Sequence, residues 1–232
     1  MFALGLAAVA LCLALMSTFS HVSHHLAGEY APGSLLESVL APLDAFYLDR
    51  ERSFPTLYVS LLWLLCSVLL AGIAFSDRAS ATRHARQWGA LALIFLFLFT
   101  DELLQFHEEI GEPLRNALGT SGVLYYAWIM PALVLLAILG ALYAGFVVAL
   151  PAEIRRLFLI AGAIFVAGAI GMEMVGGYMA SSYGLESAAL QASSTVEELL
   201  EMLGITIFIH ALLEYMRRYV GEMVIPPAGK KL

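Results

Sequence analysis

The stretch GVLYYAWIMPALVLLAILGALYAGFVVAL, Gly122 to Leu150, contains no Asp, Glu, Lys or Arg. An α-helix needs about 20 apolar residues to cross roughly 30 Å of hydrocarbon, and this run exceeds that, so it is expected to tilt, to bend at Pro131 or to start in the interface. Runs of the same kind recur along the chain. Spans are expected at about 2–20, 55–76, 88–107, 122–150, 157–180 and 195–216. The 232 residues are 61% hydrophobic and 13% charged, with a mean hydropathy of +0.84. A soluble domain carries about a quarter charged residues. The fold class is therefore all-α: a polytopic transmembrane helical bundle of about six spans, one membrane domain over residues 1–232. Alternating strands are absent, which excludes a barrel.

Lys and Arg set the expected orientation. Arg78, Arg83, Arg86, Arg155, Arg156, Arg217, Arg218, Lys230 and Lys231 fall on one face, and Arg50, Arg52 and Arg115 on the other. The positive-inside rule makes the richer face cytoplasmic and places both termini inside. No basic residue precedes the first apolar run and no small-x-small cleavage site follows it, so it reads as a retained span. Residues of about 33–50 form an external connector, where Leu36, Leu40, Leu43 and Tyr47 recur at helical spacing. Pro55 suits the start of the second span. Tyr125, Tyr126 and Trp128 read as an aromatic belt. A net charge of −7 without a basic cluster argues against nucleic acid as a partner. The expected surroundings are the lipid bilayer, with other membrane proteins or further copies of the chain as partners.

The acids carry the functional signal. Asp101, Glu102, His107 and Glu108 close the third span, Glu173 lies inside the fifth, and Glu197, Glu198 and Glu201 open the sixth. Counted from the cytoplasmic arginines at about 1.5 Å per residue, Asp101, Glu173 and Glu201 lie at roughly 22, 25 and 24 Å. Three spans thus place a carboxylate at one height, on the external side. An acid at that depth costs at least a few kcal/mol unless neutralised, paired or wet. Glu197 and Glu198 also fit a capping box with Ser194 or Thr195, and Glu108, Glu109 and Glu112 fit solvated acids beyond the membrane edge. Ala169, Gly176, Gly177 and Ala180 around Glu173 are small enough to admit a close neighbour.

No Lys or Arg lies within these spans at that depth. Either some acids hold protons, or a cation sits among them. Carboxylates from facing helices with an imidazole form the ligand set of di-iron and di-manganese bundles. The expected ligands are Asp101, Glu102, His107, Glu108, Glu173, Glu198 and Glu201, although the usual Glu-x-x-His pair is missing. On a continuous helix Asp101, Gln105 and Glu108 share one face and Glu102 and Glu109 another. Iron or manganese is favoured, with zinc or calcium next. Copper is less favoured, because Met172, Met174, Met179 and Met202 read as packing. His21 and His25, beside His24, lie one turn apart but read as interfacial residues at a span end. His210 and Glu214 are expected to pair locally. Cys12 and Cys66 lie in apolar runs and form no zinc motif. Ser181 and Ser182 lack a nucleophile elbow, and no phosphate or dinucleotide fingerprint is present.

The segments Asp101-Glu102 to His107-Glu108, Glu173-Met174 with Gly176-Gly177-Tyr178, and Thr195 to Gly204 resemble a family of uncharacterised bacterial multi-pass membrane proteins. The resemblance runs from about Asp49 to Tyr215 and includes Pro55-Thr56. It implies a bacterial inner-membrane protein with the acid-bearing helices as its core, and brings no activity with it. Three functions follow from the residues: a membrane metalloprotein, whose open coordination position would activate water or meet an oxidant; a proton- or cation-coupled transporter or channel; or an accessory or assembly subunit whose acids join helices. Against transport, no polar path continues beyond His210 and Glu214.

Overall fold

The computed structural model describes residues 1–27, 41–48, 53–76 and 84–220. Among these, all regular structure is helical. Taking Ala152–Tyr183 as one helix, there are seven: α1 (Phe2–Ala27), α2 (Phe54–Ala74), α3 (Ala85–Leu104), α4 (Phe106–Leu118), α5 (Ile129–Ala149), α6 (Ala152–Tyr183) and α7 (Ala188–Tyr215). Five of them, α1, α2, α3, α5 and α6, are long and apolar enough to cross a membrane. α7 has the length, but Glu197, Glu198, Glu201 and Glu214 keep it out of that set by composition.

α7 is the axis of the bundle, packed against α1, α2 and α6, while α2 and α3 pair along their length. Its Met202, Ile205, Ile209 and Leu212 are fully buried at helical spacing. At the start of α3 the same core is aromatic, and Trp88 meets the rings of Phe146 (4.8 Å between centroids) and Tyr215 (4.8 Å). α5 is held only at its ends. Ile129 and Phe146 are its buried residues, and the turns between them stand away from the bundle.

Local chemistry explains the helix boundaries. Ser53 caps α2 by accepting the Thr56 N–H at 3.2 Å, with Pro55 in the first turn. Ser187 caps α7 by accepting from Leu190 N at 3.3 Å. The fourth expected span starts later than the apolar run does: a 3-10 turn at Gly122–Leu124 and the Tyr125–Trp128 loop precede α5, and Pro131 sits harmlessly in its first turns. Within α6, Ala167–Met172 winds as a π-helix directly before Glu173. Of the expected connector at 33–50, the described part holds a 3-10 helix, Ala41–Phe46, with Leu48 N donating to Ser17 Oγ of α1 at 3.2 Å. The remainder, with Arg50 and Arg52, lies outside the described residues.

Candidate functional site

The third expected span does not run on through His107. It stops at Leu104 because Gln105 adopts a left-handed conformation, φ 53° and ψ 39°. A non-glycine residue there costs about 1–2 kcal/mol. The turn changes which residues can meet. Asp101 and Glu102, adjacent on α3, both line a single cavity, and the turn brings His107 and Glu108 of α4 to the same space, with His107 Nδ1 2.6 Å from Asp101 Oδ2. The His107 ring also abuts Trp128, centroids 4.9 Å apart. Burial disfavours its imidazolium, but the hydrogen bond and charge of Asp101, with the charges of Glu108 and Glu173, outweigh that and hold His107 above its ordinary value of 6.5. Glu108 and Glu109 occupy the first turn of α4, where the helix dipole favours acids.

Glu173 is placed by the π turn and by the loop before α5. Gly177 lets that loop lie on α6: a Cβ there would come within 3.1 Å of the Gly122 carbonyl oxygen and 3.2 Å of Tyr125 Cβ. The loop in turn delivers Trp128, whose Nε1–H donates to Glu173 Oε1 at 2.9 Å. Trp128, read from the sequence as a belt residue, is thus a site residue. Burial, followed by the charges of Glu173 and Glu197, pushes the neighbouring Tyr126 hydroxyl up to about 12.

Glu197 and Glu198 do not cap a helix. α7 begins at Ser187, so both lie more than two turns inside it, and the capping-box expectation is overturned. Glu197 meets Glu173 side chain to side chain. Two carboxyl groups hold such a contact by sharing a proton or a cation. The acid spacing on α7 suffices to aim Glu197, Glu198 and Glu201 into the same space as Glu102, Glu108 and Glu173.

All seven expected ligands, Asp101, Glu102, His107, Glu108, Glu173, Glu198 and Glu201, therefore line one cavity of about 360 Å³, joined by Glu197, Gln105 and Trp128. Its lining includes no Lys or Arg. Among the described residues, no three His, Cys, Asp or Glu side chains are arranged as a group that could hold a metal ion. A second cavity of about 350 Å³, beside Ala45, Ser53 and Phe54, shares Thr56, Glu102 and Gln105 with the first. Glu102 thus stands between the acid cavity and the surface near the Ala41–Phe46 turn.

Other candidates fall elsewhere. Arg115 lies 4.2 Å over the Tyr125 ring and is absent from the cavity lining. His21 lies against Tyr47, ring centroids 4.2 Å apart and planes tilted by 35°. Glu214 does not pair with His210, which is exposed, but with Arg217 (2.6 Å) and Arg218, and Arg218 also reaches Glu153.

Comparison with curated proteins and with solved structures finds no match. One family model does match, over residues 3–215, and so includes the first helix, which the sequence resemblance had left out. The chain belongs to that family, described as a domain of unknown function, DUF8692.

Proposed function

We propose that the protein is a membrane-embedded cation-binding protein whose acid cavity holds a divalent metal, iron or manganese before zinc or calcium. One observation carries this: seven carboxylates and one imidazole drawn from α3, α4, α6 and α7 line one space with no Lys or Arg in its wall. That excess of negative charge demands protons or a cation. Asp101 orients His107 through Nδ1, the arrangement in which a carboxylate fixes the tautomer of a metal-binding imidazole. The reading requires the acids to draw together around the ion from their metal-free positions. In this proposal α7 is the sixth span, both termini are cytoplasmic, the acid end faces the outside of a bacterial inner membrane, and the cavity shared at Glu102 is the route by which ions exchange.

A second reading rests on the Glu173–Glu197 contact and the lack of a ready-made ligand group: the acids share protons, and the cavity is one end of a proton-linked path. Elemental analysis of the purified protein beside Glu173→Gln and Glu201→Gln decides between them. The expected result is stoichiometric metal in the wild type and its loss in both variants, with the helical circular dichroism of each variant retained. No metal after reconstitution with iron, manganese, zinc and calcium would overturn the metal reading and leave the proton-linked one.

A further inference from the structure

The cavity has two chemically different halves. Beyond the acids it continues between α3, α5 and α6, where its wall is Phe97, Leu135, Leu136, Leu139, Phe165 and Val166. From Ala132 to Leu139 this limb follows α5 for about 10 Å. The residues at its side are both lining and open: Phe97 is 56% exposed, Leu135 54% and Leu136 39%. Phe97 lies about two turns inside α3, and Leu135 and Leu136 about two turns inside α5, both helices apolar and long enough to cross a membrane. The side opening therefore faces hydrocarbon. Water-soluble substrates do not approach from there, whereas molecules dissolved in the bilayer do.

We propose that this limb admits an apolar-tailed lipid with an uncharged oxygen-bearing head, a long-chain or isoprenoid alcohol or carbonyl compound. The tail lies along α5 and the head meets the acids. The head-group class follows from the wall. An anionic head adds negative charge to a wall of seven acids that already needs protons or a cation to neutralise it, and a cationic head competes with whatever neutralises them. A hydroxyl or carbonyl can accept from a protonated carboxyl, and a hydroxyl can also donate to an ionised one. The total volume, about 360 Å³, lies within the ~300–1,000 Å³ range of small-molecule sites. The inference builds on the acid cavity as the functional centre, whether metal or protons occupy it.

Two of the three tryptophans, Trp63 and Trp128, line the cavity, and Trp88 does not. The full chain in lipid nanodiscs is titrated with a long-chain alcohol brominated near the end of its chain, and tryptophan quenching is followed. The expected result is a saturable component at low mole fraction, displaced by unlabelled hexadecanol but at least tenfold less well by palmitate or hexadecylamine. It should disappear in Ala132→Phe and in Ala169→Leu, which fill the limb from opposite walls. Quenching that is linear in the wild type, or saturable but unchanged in both variants, would overturn the proposal. Equal displacement by palmitate or hexadecylamine would overturn the assigned head group. Metal content measured on the same samples separates this from the metal reading: saturable quenching without metal retains the lipid and sinks the metal, and metal with linear quenching does the reverse.

Discussion

Adding a single methyl group at Gly204 or Gly168 should destabilise the protein, although the same change at Gly162 should not. The two glycines form a reciprocal contact between α6 and α7. A Cβ at Gly204 would lie 2.8 Å from Phe165 N, 2.9 Å from Phe165 Cβ and 3.0 Å from the Ala161 carbonyl oxygen. A Cβ at Gly168 would lie 2.9 Å from the Glu197 carbonyl oxygen and 3.1 Å from Leu200 Cβ and Glu201 Cγ. Most of these partners are backbone or Cβ atoms, which no rotamer change can move. Ordinary contact begins near 3.4 Å, so the helices must part by about half an ångström or more. Alanine in place of glycine favours a helix by about 1 kcal/mol, and overpacking costs ~1–3 kcal/mol, so a net loss of up to about 2 kcal/mol is expected. Gly162, on α6 beside Ala161, has nothing within 4 Å of its would-be Cβ, and Gly162→Ala should be neutral or gain up to about 1 kcal/mol. Thermal unfolding of the three variants in one detergent, followed by near-ultraviolet circular dichroism, tests the sign. Gly204→Ala melting at or above Gly162→Ala would refute the close approach. Gly168→Ala has a further consequence, because it presses on the backbone that carries Glu197 and Glu201 and should lower cation binding in the cavity.

Because the folded His107 is held above its ordinary 6.5, its contribution is fully present below that value and is lost as pH rises through the folded one. The unfolding-temperature difference between wild type and His107→Asn should therefore shrink on going from acid to alkaline buffer, and parallel pH profiles would count against the Asp101–His107 pair. Trp128→Phe keeps a ring beside His107 but removes the N–H donated to Glu173, at a cost of about 1–3 kcal/mol for an acceptor left without its partner. Glu173→Gln retains an acceptor oxygen and should cost less in the same melt. Ser67 Oγ donates to the Ala92 carbonyl across the α2–α3 contact at 2.8 Å. Ser67→Ala should lower stability by about 0.6 kcal/mol, the average for such bonds between membrane helices, and an unchanged melting temperature would show the bond to be idle.

The sequence by itself determined the helical class, the long apolar helices and which segments carry the acids, because all three depend on composition and on helix length. Even the small residues beside Glu173 were legible as places of close approach. The meeting of the acids was decided by turns that carry no local signal. A glutamine, not a glycine or asparagine, takes the left-handed turn at 105, and the contacts of His107 with Asp101 and Trp128 on its far side favour that conformation. The mid-helix position of Glu197 and Glu198 follows from a cap at Ser187, one of several serines and threonines that compete equally well in the sequence for that role. Trp128 reaches Glu173 across 45 residues because Gly177 leaves room for a loop, and Glu214 turns to Arg217 and Arg218 because the chain continues in a π turn over Met216–Val220. The apolar limb exists only because α5 is gripped at Ile129 and Phe146 and free between them. Periodicity says which face of a helix is greasy, but the distance between two greasy faces is set by every other contact in the bundle, and that is a property of the tertiary structure alone.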